Sequence, residues 1–166
     1  MQKFLLIAAA LLLTTNTFAH DPEPAPHDIA ETSGTPMNYG VLCPAMGRSA
    51  MELANAREQG KDVAAASDYV RSNFQSLGLS TPDKRINDTI LALIPSNAAL
   101  VYQRKDLKPV AIRYAAAGVC AIQTAGDRNP SHIVAIVDSA ANCQNMRENV
   151  LISCVAAEIS NIESGK

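Results

Sequence analysis

The side chains of this 166-residue chain best suited to chemistry are three histidines and four cysteines. Two of the histidines, His20 and His27, stand in the short run "HDPEPAPHD" beside Asp21 and Asp28. Were the mature chain to begin at His20, its amine and imidazole would chelate one metal. His27 with Asp21 or Asp28 could then complete a copper or zinc site. The same run also reads as a linker with two incidental histidines. His132 follows Pro130 at a predicted helix start, where no nucleophile lies near it in sequence, so a surface or capping role is expected rather than that of a general base. Asp83, Asp88, Asp127 and Asp138 could be imagined as acid/base pairs, but ordinary helix-start and solvated-face roles explain them. The sequence contains no His-Glu-x-x-His, no Gly-x-Ser-x-Gly, no phosphate-binding glycine loop and no dinucleotide fingerprint.

The cysteines are Cys43, Cys120, Cys143 and Cys154. An even number in an exported chain reads as disulfides. A structural zinc site would show a Cys-x-x-Cys pair, and none is present. Cys43, before Pro44, sits where a free thiol would be acidified and reactive. With no resolving cysteine close by, it is read as a staple point.

The compartment follows from the first residues. Lys3, the apolar run from Phe4 to Leu13 and the small residues of Thr17-Phe18-Ala19 have the anatomy of a secretory signal peptide spanning 1–19. An apolar run of about ten residues is half the roughly 20 needed to span a bilayer, and no later segment qualifies. Residues 20–38, with four prolines, form a flexible leader. The helical domain covers 39–166, in the periplasm or outside the cell. A formal charge of −2, with both signs interspersed, points to no nucleic-acid or membrane-surface partner. Aromatics at 4% with no Trp disfavour sugar platforms and base-stacking surfaces.

The elements that must position these residues are helices. Pro44, Pro82, Pro109 and Pro130 each precede a long run without proline, and proline is favoured at the first helical position. Cys43 is then near an N-cap, Thr81 caps a helix over 82–94 that Pro95 stops, and Asn129 caps a helix over 130–142. Apolar spacing adds a helix closed by Gly60 and another over 62–77 closed by Gly78. It also gives a short helix over 97–104, a helix over 109–125 and a last one over about 145–162. The β-branched run "HIVAIV" has no second strand to pair with. Gly47, Ala50 and Ala54 form a small row that lets another helix approach closely. The expected fold is all-α, a compact bundle of about six helices stapled by two disulfides.

Helix geometry favours one pairing. Eleven residues of helix between Cys143 and Cys154 span roughly 15 Å, against the 7 Å or so a disulfide tolerates, unless the helix begins late. That points to Cys120–Cys154 and Cys43–Cys143. Cys-x-x-Met at 43–46, then Ala56-Arg57-x-x-Gly60 and a later helix ending in Cys120, resembles small uncharacterised secreted proteins of proteobacteria over residues 41–120. The resemblance implies the other pairing, Cys43–Cys120 with Cys143–Cys154, and implies no activity or cofactor.

The function expected on these grounds is a non-catalytic exported binding module with a protein partner, of the inhibitor, immunity or stress-chaperone build. The alternatives are metal binding through His20 and His27, and an enzyme whose residues assemble from distant helices.

Overall fold

The computed structural model describes residues 36–165, which form six α-helices and no strand. The expected signal peptide, most of the expected leader, His20 and His27 lie outside the described residues. No described helix is long and apolar enough to cross a membrane.

α1, Tyr39–Glu58, begins one turn earlier than the position of Pro44 suggested, so Cys43 lies inside the helix and not at its cap. Pro44 is the sixth helical residue. Its ring crowds the carbonyl of the residue four before it. That residue is Gly40, exposed in the first turn, where the carbonyl can tilt toward water. Gly60 follows the helix at φ +81°, the left-handed conformation a terminating glycine supplies.

α2, Val63–Ser72, is capped by Asp62, whose carboxylate accepts from the Ala65 N–H at 2.8 Å. It ends five residues before its expected stop, because the Asn73 amide donates to the Tyr69 carbonyl at 2.8 Å and diverts the chain into turns. α3, Lys84–Gln103, merges the two helices expected on either side of Pro95. Ile86, Ile90, Ile94, Ala98 and Val101 are buried in one unbroken stripe, while Pro95 faces solvent. A proline inside a helix costs about 3 kcal/mol, and burying each of those isoleucines returns about 1.5–3 kcal/mol, so packing carries the helix through. Asp83 is the cap, accepting from Arg85 N–H at 2.9 Å. Thr81 instead exchanges hydrogen bonds with Asn87, its N–H donating at 2.7 Å and its carbonyl accepting at 2.8 Å.

α4, Pro109–Thr124, and α5, Pro130–Cys143, start at the prolines as expected. Asn129 caps α5 by accepting from Ser131 N–H at 3.0 Å, and "HIVAIV" is helical. α6 covers Glu148–Glu163.

α1 and α4 form a central antiparallel pair. On one side α1 carries α2 and α3; on the other α4 carries α5 and α6. The small row works as expected, and its neighbour is α4. A Cβ at Gly47 would lie 2.5 Å from the Arg113 carbonyl oxygen and 3.1 Å from the Ala117 Cβ. Ala50 and Ala54 are buried beside it. A mid-helix glycine costs about 1 kcal/mol relative to alanine, which is the cost of this approach. Cys43 and Cys120 close the pair at one end, their Cα atoms 5.4 Å apart.

The second disulfide is Cys143–Cys154, with Cα atoms 6.6 Å apart. Both bonds therefore differ from the pairing that helix heights favoured and agree with the one the resemblance implied. Cys143 is the last residue of α5, not the start of the next helix, and α6 begins only at Glu148. The eleven residues thus contain a chain reversal and not a straight helical rise. Cys154 returns alongside the final turn of α5, where Ser139 Oγ donates to its carbonyl at 3.1 Å.

Candidate functional site

The sequence-predicted polar residues do not converge. His132 Nδ1 lies 2.5 Å from an Asp127 carboxylate oxygen, and its Nε2 lies 3.3 Å from the Asn129 amide nitrogen. The network is satisfied by a ring that donates from Nδ1 and accepts at Nε2. Both nitrogens are then engaged in closing the start of α5. Ser131, the nearest hydroxyl in sequence, donates to Asn129 Oδ1 at 2.9 Å. The Asn129 backbone N–H, with His132 next, holds the Asp127 carboxyl below the usual carboxylate range.

Asp83 is held low in the same way by Arg85, which binds it through its side chain and its N–H. Asp88 pairs with Lys84 at 2.6 Å, and Asp138 with Arg104 at 3.3 Å. These carboxylates are dispersed over α3, α5 and the turns before them as caps and surface pairs. All four cysteines are bonded to one another. Among the described residues, no group of three or more His, Cys, Asp or Glu side chains could hold a metal ion.

What the fold does assemble is an apolar groove. α1 and α6 both pack on α4 and diverge above it, leaving a hollow of about 460 Å³. Small residues of α4 (Ala117, Gly118, Ala121) make the floor. The first turns of α1 form one wall, with Tyr39, Gly40 and Pro44 over the buried Cys43. Ile152, Val155, Ala156 and Ile159 of α6 form the other. Gly118 is required here, since a Cβ would come within 3.0 Å of Val155 and 3.1 Å of Ile136.

Two of the three hydroxyls along the groove are already used, and that of Tyr39 has no hydrogen-bond partner among the described residues. Thr124 Oγ1 donates to the Ala121 carbonyl at 2.9 Å. Tyr114 donates its phenol to Glu148 at 2.5 Å, and burial, then that carboxylate, raises its pKa. Tyr39 and Ile152, on the two walls, stay 49% and 42% exposed. A hollow of this composition can hold apolar side chains or an apolar ligand.

Sequence reasoning pointed to neither Tyr114 nor Ile152. The available signal was α6 itself: Val150, Leu151, Ile152, Val155 and Ile159 occupy more of its circumference than one neighbour requires. A second hollow, about 720 Å³, lies where α2 ends beside Leu91 of α3, and Arg71, Ser72, Gln75 and Ser76 on its rim all face solvent. No family model, no curated protein and no solved structure matches this chain.

Proposed function

We propose that the chain is an exported, non-catalytic protein-binding module that receives its partner in the groove between α1, α4 and α6. The observation that carries this reading is a concave surface lined almost entirely by apolar side chains, on a scaffold cross-linked beneath it. Such a surface gains from desolvation when a partner covers it. Export is supported by the pairing of all four cysteines, which suits an oxidising compartment. By architectural analogy alone, the partner is an enzyme held in check or a set of unfolded clients.

The test is capture from periplasmic extract by the mature protein and by Ile152→Glu, a substitution on an exposed rim position that leaves the core untouched. Retention of one enzyme by the parent alone supports the inhibitor reading, and retention of many unfolded chains the chaperone reading. Equal capture by both proteins would remove the groove from the account.

A further inference from the structure

Two loops meet at the end of the molecule where α4 and α6 begin. Residues 104–108 join α3 to α4, and residues 144–147 join α5 to α6. Lys108 stitches them together: its backbone N–H donates to Gln144 Oε1 at 2.9 Å and its ammonium to Asn145 Oδ1 at 2.7 Å. The lysine charge is thereby held beside Met146, which is 55% exposed. Residues 145–150 are exposed without interruption, a projecting turn and not a hollow. Val110 and Val150, also exposed, stand in the first turns of the two helices.

The charge around this turn is net positive, five cations against three carboxylates. Asp106 and Asp138 are both engaged by Arg104, and Glu148 by Tyr114 and Arg113. Lys105, Lys108 and Arg147 are exposed, and among the described residues none of them is paired with a carboxylate. The net charge of the chain hides this, because the fold gathers cations that lie about 40 residues apart in sequence.

Their positions also run against helix stability. Lys108 and Arg147 are the N-cap residues of α4 and α6, and neither makes a side-chain cap bond. A cation there opposes the helix dipole. Asp62, Asp83 and Asn129 cap α2, α3 and α5 in the ordinary way. Lys108 has its loop bonds to account for it, but no hydrogen bond or ion pair of its side chain accounts for Arg147 beside the exposed Met146.

We propose that this end of the molecule rests on an anionic phospholipid surface. Lys105, Lys108 and Arg147 face the headgroup phosphates, and Met146 enters the interfacial layer between them. A projecting turn tipped by one flexible apolar side chain suits a fluid interface better than an acidic protein, which would need a shaped surface to meet it. The surface is separate from the groove, and the two proposals fail independently.

The experiment is co-sedimentation of the full chain with phosphatidylcholine vesicles and with vesicles of equal parts phosphatidylcholine and phosphatidylglycerol, at low salt. A cation close to such a surface is worth about five-fold in partitioning, so the surplus of two charges gives about 25-fold preference for the anionic vesicles. The preference should fade at high salt. The double variant Lys105→Gln/Arg147→Gln removes two side chains with no bonding role and should lower binding about 25-fold with helicity unchanged. Met146→Ser should weaken binding while keeping its salt dependence. Equal binding to both vesicle types, no binding to either, or parental binding by the double variant would overturn the proposal. So would retention on poly-glutamate without vesicle binding, which would assign the patch to an acidic polypeptide.

Discussion

The two pairs of helices flanking the α1–α4 spine are held on by different means. The α2–α3 pair is held by burial. α3 alone contributes Ile86, Ile90, Ile94, Ala98 and Val101 to the core, and Phe74 and Leu79 fill the turn before it. Its far end is fastened by Arg57, whose guanidinium donates to the carbonyls of Val101 and Arg104, each at 2.9 Å, and of Leu107 at 2.6 Å. Tyr102 adds a bond to the Lys61 carbonyl at 2.5 Å.

The α5–α6 pair buries much less. α5 gives Ile136, Ala140 and Cys143 to the core, and α6 gives only Leu151 and Val155. Here the chain uses a covalent bond, Cys143–Cys154, where the other side uses apolar area. The thinly packed side is also the side that carries the groove and the basic turn. Apolar surface left uncovered is surface unavailable to the core, and the cross-link makes up the difference.

The comparison can be broken at the spine first. Replacing Cys43 and Cys120 together with serine opens a cross-link over 77 residues, worth about 4.5 kcal/mol in the chain-entropy model. Chemical denaturation should show a loss of that order, with both flanking pairs melting together.

Gly47→Ala comes next. The added methyl meets the Arg113 backbone, which cannot step aside as a side chain could, so a loss of about 2–3 kcal/mol is expected despite alanine's better helix propensity. Thermal unfolding of this variant in oxidised protein checks it.

The third substitution separates the two sides. Cys143→Ser with Cys154→Ser releases a loop of 11 residues, worth about 2.8 kcal/mol in the same model. Hydrogen exchange should rise in α5 and α6 and stay unchanged in α3.

Arg57→Lys is the counterpart on the other side and the smallest effect. A lysine keeps the charge and loses the fork that spans three carbonyls, costing about 1.5–2 kcal/mol. Exchange should then rise at the end of α3 and in residues 104–108, with α5 and α6 unaffected.

Much of this arrangement was legible in the sequence, and where it was not the reasons are physical. Asn129-Pro130 and Lys108-Pro109 start helices because proline fits the first helical position and nothing upstream competes. Pro44 and Pro95 misled for the converse reason. One falls where Gly40 and solvent absorb its ring, and the other lies on the solvent face of a buried isoleucine stripe. Gly47, Ala50 and Ala54 announced a close neighbour but could not say which helix it was.

The disulfide pairing turned on whether α6 began near residue 145 or at Glu148, a shift of three residues. Boundaries of that size are beyond periodicity alone. The groove was invisible for a related reason, since it exists only because α1 and α6 share α4 as a neighbour.

Non-reducing peptide mapping of the oxidised protein tests the central claim, a spine closed by its own disulfide with a separately stapled hairpin beside it. The account predicts one linked peptide joining Cys43 to Cys120 and another joining Cys143 to Cys154, with no alkylatable thiol in the native protein. A peptide joining Cys43 to Cys143, or Cys120 to Cys154, would tie the spine to the hairpin and contradict it.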